Sequence, residues 1–531
     1  MYLLHLATLM LVASPTTPAS PDSVPLYANL GAHHHEITTR VAKAQQYFDQ
    51  GLRLVFGFNH AEAIRAFAEA ARLDPSCAIC YWGVAVAYGP HVNAPMDSAS
   101  GVAAHAAVRQ ALAHLAQASA SEQAYIRAVA KRYAQVPPAN RAGLDSAYAR
   151  AMGEVVAKDP DDLDAATLYA EALMDLRPWN YWKQPSGEPY PGTLEIVAQL
   201  ERVLRGNPNH PGACHYYVHA VEAVQPQKAV ACAERLANLM PGDGHMVHMP
   251  AHIYIRVGRY GDAIDANVHA VHTDESYIED QGPVGVYPLA YYPHNLHFLA
   301  FAATMAGRSA QAIEASRRLV AKVNLQVARQ VPMVQSFVPF LDLTLVTFGR
   351  WDEVLRQPLP PADLPYASGM AHYARGVAFA ATGKWSEAQA ELDIVKQLAA
   401  RATAANKPTA DIAMHALMGE IAARKGQTDE AIRHFQAAKG IEDEMLYFEP
   451  PTWYYPIRHS LGAVLLKAGR SAEAETAYRE DLKRFPESGW ALFGLMQALR
   501  AEGKSSEALS VEEQFRPAWA TADVNLTASR F

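Results

Sequence analysis

Three histidines stand within eight positions of the segment GHMVHMPAHIYIRVGRY (residues 244–260): His245, His248 and His252. A neutral imidazole carries one lone pair for a metal ion or a donor, and its charge changes near neutral pH, so such a set suits ion ligation or proton handling. On a helix turning 100° per residue, offsets of 0, 3 and 7 fall within an arc of about 60°, so the three share one face. Upstream, CHYYVHAVEA places His215, His219 and Glu222 at offsets 0, 4 and 7, again within about 60°. Downstream, His294 and His297 repeat the spacing of three. Residues 210–297 hold 10 of the 22 histidines, where even scatter would put about four, so the clustering is a property of this segment.

Any one of these rings, taken alone, reads as a hydrogen-bonded polar residue. Seven of them with a carboxylate read as a metal site. Imidazole-rich ligation favours copper or zinc over magnesium or calcium, which prefer oxygen, and it admits iron or manganese. Glu222 would then orient imidazoles from behind or serve as a ligand itself. An open coordination position would polarise a substrate or activate water or dioxygen.

Other side chains are candidates to complete such a site. Glu171, with Met174, precedes Arg177, Trp179, Tyr181 and Trp182; Tyr287, Tyr291 and Tyr292 lie just before His294. A phenol there donates to a bound substrate or simply packs. The run His33, His34 and His35 reads first as part of an extended flanking segment, His60 as a residue of a helix-joining turn, and EDEMLYFEPPTWYYPIRH (residues 442–459) as the cap of a helix pair. The chain has no zincin motif, Walker loop, dinucleotide fingerprint or nucleophile elbow, which leaves no warrant for a nucleotide cofactor or an established hydrolase chemistry.

The elements that must position these residues show in the composition and in a repeat. The 531 residues are 50% hydrophobic and 19% charged, a globular balance. A net charge of −8 gives no cationic excess for a phosphate backbone, so nucleic acid is not an expected partner. Small and aromatic residues recur at fixed offsets: Gly51, Ala63, Phe67, Ala70 and Pro75; Gly376, Gly383, Ala388 and Leu392; Gly419, Gly426, Ala431, Phe435 and Ala438; Gly462, Gly469, Ala474, Tyr478 and Pro486. Small residues let two helices approach, the aromatic fills the gap to the next pair, and Pro ends the second helix.

This pattern resembles the tetratricopeptide repeat family, whose helix–turn–helix unit of about 34 residues stacks into a solenoid with a concave groove. The resemblance implies an all-α fold over residues 44–515 and places units at 210–243, 244–277 and from Pro293. It further implies that His245, His248, His252, His294 and His297 line the groove, with Glu171 on the same side. His215, His219 and Glu222 fall at positions whose aim the family pattern leaves open.

The expected organisation is a secretory leader at residues 1–19, whose apolar run MYLLHLATLMLVAS lacks a basic start, and an extended segment at 20–43. Repeats with the histidine-rich groove follow at 44–310, interrupted at 177–192 and 278–292, then further repeats at 311–515 and a tail at 516–531. Export puts the protein in the periplasm or outside the cell, with no membrane span once the leader is removed. The four cysteines, Cys77, Cys80, Cys214 and Cys232, suit one or two disulfides there. Two functions of different class fit. One is a metal-dependent enzyme, inclining to oxidation of a small molecule, with Glu222, Tyr292, Glu171 and Arg177 as its reactive side chains. The other is a scaffold whose groove binds a peptide or protein without catalysis.

Overall fold

The computed structural model describes residues 24–282 and 287–531. The expected leader and residues 283–286 of the 278–292 insertion lie outside the described residues. Among those described there is no β-strand, only two isolated bridges, His91 with Ala94 and Trp182 with Pro189. No described helix is long and apolar enough to cross a membrane. The fold is all-α and tetratricopeptide-like. Its described residues divide into two compact units, one formed by 24–253 with 269–292, the other by Tyr254–Val268 with Pro293–Phe531.

The spacing of small and aromatic residues becomes packing. In the first unit the helices Ala42–Phe56 and His60–Leu73 pair, and the next helix is Ala78–Ala87. Phe67, fully buried, lies against Gly51 of its own pair and Gly83 of the next. A Cβ on Gly51 would stand 2.7 Å from the Phe67 ring, and one on Gly83 would overlap it, so only hydrogen fits at both positions. Burying such a ring stabilises by roughly 1.5–3 kcal/mol, a return neither pair secures alone.

The second unit repeats the device. Four helix pairs follow one another: Pro365–Ala381 with Trp385–Ala400, Lys407–Arg424 with Thr428–Glu444, Ile457–Lys467 with Ser471–Arg484, and Gly489–Ala501 with Ser505–Ala518. Tyr478 sits between Gly462 and Gly494 as Phe67 does between its two glycines. Each pair turns on a glycine in the left-handed region, as at Gly469 with φ +72°.

The array departs from an even repeat where the histidines are densest. Pro250 has no N–H to continue a hydrogen-bond ladder, so the first helix of the 244–277 repeat is split into Gly244–His248 and Pro250–Arg256. Its second helix, Tyr260–Gln281, extends over 22 residues into the stretch expected as an inserted loop. A π-helical turn, Tyr287–Tyr291, then leads into the helix Tyr292–Met305. Cys77 and Cys80 are joined by a disulfide at the start of the helix Ala78–Ala87, while Cys214 and Cys232 are free thiols.

Candidate metal centre

The first unit carries the imidazole cluster on three short helices. Pro211–Val221 bears His215 and His219, with Glu222 as its C-cap. Its start is fixed by His210, whose Nδ1 accepts the Ala213 N–H at 3.2 Å. Gly244–His248 bears His245 and His248 and is capped by Asp243, which accepts the Met246 N–H at 3.1 Å. Pro250–Arg256 bears His252. All five imidazoles and Glu222 are buried, each at most 4% exposed.

Neighbouring acceptors hold three of these rings by Nδ1. The Phe56 carbonyl takes His215 Nδ1–H at 2.6 Å. Glu222 takes His219 Nδ1–H at 3.1 Å through Oε1 and His252 Nδ1–H at 2.6 Å through Oε2. A proton fixed on Nδ1 leaves the Nε2 lone pair for another partner. Nε2 of His215, Nε2 of His219 and both ring nitrogens of His245 are buried without a hydrogen-bond partner, an arrangement that costs free energy unless something else pairs with them. One nitrogen from each of His215, His219 and His245 lies within 4.8 Å of the other two. Zinc–nitrogen bonds of about 2.0–2.1 Å put tetrahedral nitrogens about 3.4 Å apart, so rotation of the rings by roughly an ångström would close the set on one ion. Beside them, His248 Nε2 and His252 Nε2 stand 2.9 Å apart.

Charge agrees with geometry. Burial, with repulsion from neighbouring imidazoles, holds His215 and His245 well below the usual imidazole range, and burial lowers His219 as well. Burial alone would push Glu222 up, but His252 and His219 reverse this and hold its carboxyl at about 2. These rings are neutral donors over an ionised carboxylate, the form in which imidazole binds metal.

A second histidine group shows the contrasting case. His33 Nε2, His35 Nδ1 and His210 Nε2 meet Asp164 at 2.9, 2.7 and 3.0 Å, and His34 Nδ1 meets Asp49 at 2.8 Å. Because His210 Nδ1 accepts a backbone N–H, its neutral ring carries the proton on Nε2 and donates it to Asp164. This group fastens the N-terminal segment and leaves no lone pair of His210 for an ion.

Aromatic and polar side chains from irregular segments surround the cluster. Phe58, at φ +59°, stacks on His91 at 4.4 Å between ring centres and lies 4.5 Å from His215. His60 packs on His91 at 4.4 Å, and burial together with the Arg132 charge holds it at about 3. Trp179 meets the His219 ring edge-on at 5.0 Å and donates Nε1–H to Asn93 at 3.1 Å. Asn93 donates in turn to the Tyr291 hydroxyl at 3.4 Å, and the Tyr291 ring lies 4.5 Å from His245. The Tyr287 hydroxyl accepts the His245 N–H at 2.9 Å and donates to Asp274 at 2.9 Å.

Glu171, Arg177, Tyr292 and His297 lie in other settings. Glu171 is buried near the Arg132–Asp175 ion pair of 2.6 Å, and burial raises it to about 7 although Arg132 opposes. Arg177 is exposed and covers the Tyr190 ring at 4.4 Å. Tyr292 donates to Glu275 at 2.7 Å. His294 and His297 belong to the second unit, where His297 packs against Phe337 and Phe340 and burial lowers it to about 3. Phe58, His91 and Asn93 were not singled out by spacing, since they stand in stretches without helical period.

No protein-family model matches the chain, and no curated protein matches it. Among solved structures it is similar to the human IFIT1 dimer bound to m7Gppp-AAAA, at 13% identity over 91% of each chain with a TM-score of 0.32. It is also similar to the APC/C hetero-tetramer Cut9-Hcn1, at 12% identity over 90% of this chain and 76% of that one with a TM-score of 0.33. Likenesses this remote say nothing of ligand or activity.

Proposed function

We propose that this chain is an exported metalloprotein in which His215, His219 and His245 hold a copper or zinc ion, with His248 and His252 alongside and Glu222 orienting His219 and His252. The observation that carries this reading is the set of three buried imidazoles that bring one nitrogen each within 4.8 Å of the others and that carry nitrogens without a hydrogen-bond partner. The bound ion would supply Lewis acidity or, if copper, electron transfer to or from a small molecule. Asn93, Trp179 and Tyr291 are the groups placed to exclude water and orient such a molecule beside the rings.

The test is elemental analysis of untagged full-length protein isolated from the cell envelope, beside His219→Ala and His245→Ala. Stoichiometric metal in the parent and its loss from both variants is the expected result, and the spectrum identifies the element, iron and manganese included. Background levels in all three proteins would refute it and leave the cluster as a pocket for a peptide or other hydrogen-bonding ligand.

A further inference from the structure

Behind the imidazole cluster lies a pair of thiols that the metal reading does not use. Cys214 immediately precedes His215 on the helix Pro211–Val221, and Cys232 lies on the following helix, Val230–Leu239. Their sulfurs are 2.8 Å apart, within an ångström of the length of a disulfide bond, about 2.0 Å. Both are buried.

Two buried thiols in direct contact are the arrangement that small oxidants convert to a disulfide, and burial excludes bulky ones.

We propose that Cys214 and Cys232 form a peroxide-oxidised dithiol couple whose disulfide ties the helix bearing His215 and His219 to its neighbour. The Cys214 thiolate attacks one oxygen of hydrogen peroxide, the O–O bond breaks, and the released hydroxide takes up a proton as water. Cys232 sulfur then attacks the sulfenic sulfur, the S–O bond breaks, and a second water leaves with the Cys232 proton. Two electrons from the sulfur pair thus reduce one peroxide to two waters.

Full-length protein is treated with hydrogen peroxide, alkylated and digested with trypsin, which cuts after Lys228 and so separates the two cysteines. The expected result is loss of both alkylatable thiols and recovery of the Cys214 and Cys232 peptides as one species that reductant splits, distinct from the Cys77–Cys80 peptide. In Cys214→Ser the Cys232 peptide should remain alkylated. Hydrogen exchange across residues 206–239 should slow in the oxidised wild-type chain, a readout independent of any variant. Recovery of both peptides alkylated, or separately as sulfinic acids, would overturn the couple, and unchanged exchange would overturn the tie. None of these measurements involves metal, so this proposal and the metal reading can fail separately.

Discussion

Glu222→Gln removes the carboxylate that holds two rings at once. One amide oxygen can replace one carboxylate oxygen, but the amide NH2 must face the Nδ1–H of the other ring. The shorter contact, 2.6 Å to His252, should keep the oxygen, leaving the NH2 toward His219 at 3.1 Å. His219 can then pair only by moving its proton to Nε2, which occupies the lone pair that would bind an ion. Disrupting a carboxylate behind a metal-bound imidazole ordinarily weakens affinity about 10–100-fold, or roughly 1.4–2.7 kcal/mol. Titration against a chromophoric chelator, with the thermal midpoint of metal-free protein as a folding control, measures it. Unchanged affinity in a folded variant would refute the orienting role. A loss beyond about 1,000-fold, some 4 kcal/mol, would refute it differently by making Glu222 a ligand.

Three further outcomes are expected. His297, held at about 3 by burial, stays neutral in the folded chain while the unfolded chain takes up a proton below about 6.5. Stability from this residue should therefore fall by about 1.4 kcal/mol per pH unit as pH drops from about 6.5 towards 3, and His297→Leu should flatten that slope in urea unfolding. Glu171, raised to about 7, holds a proton that the unfolded chain releases from about 4.5 upward, so stability is lost as pH rises through that window; Glu171→Gln should stabilise more at pH 8 than at pH 4, by the same assay. Gly83→Ala should cost about 1–3 kcal/mol because its methyl overlaps the Phe67 ring, whereas Gly440→Ala, in a helix with open space around it, should gain about 0.5–1 kcal/mol, both read from thermal midpoints.

The helical array was legible because its signature is a packing requirement. Gly51, Phe67 and Gly83 keep fixed offsets since one ring must fit against two helices without a Cβ. Convergence of His215, His219, His245, His248 and His252 was legible from helical spacing, although Pro250 breaks the helix over which that arc was drawn. Which phenol would stand beside the rings was not legible. The π-helical turn over Tyr287–Tyr291 changes the rotation per residue, so Tyr291 lies on His245 while Tyr292 reaches Glu275. Glu171 is placed by register and Arg177 by its nearness in the chain, and neither can foresee a buried partner such as Arg132 or a stacking one such as Tyr190. Phe58, His91 and Asn93 come from segments whose path depends on tertiary contacts, where no sequence period exists to read.

Tyr478, wedged between Gly462 and Gly494, belongs equally to two consecutive helix pairs. Cutting the polypeptide after Pro486, where a modular view would place a clean border, would strip away half of that ring's seat and wet an edge evolved to be dry. Shortened versions should then fray or self-associate, so dissection of this protein calls for a replacement cap shaped to cradle the orphaned phenol.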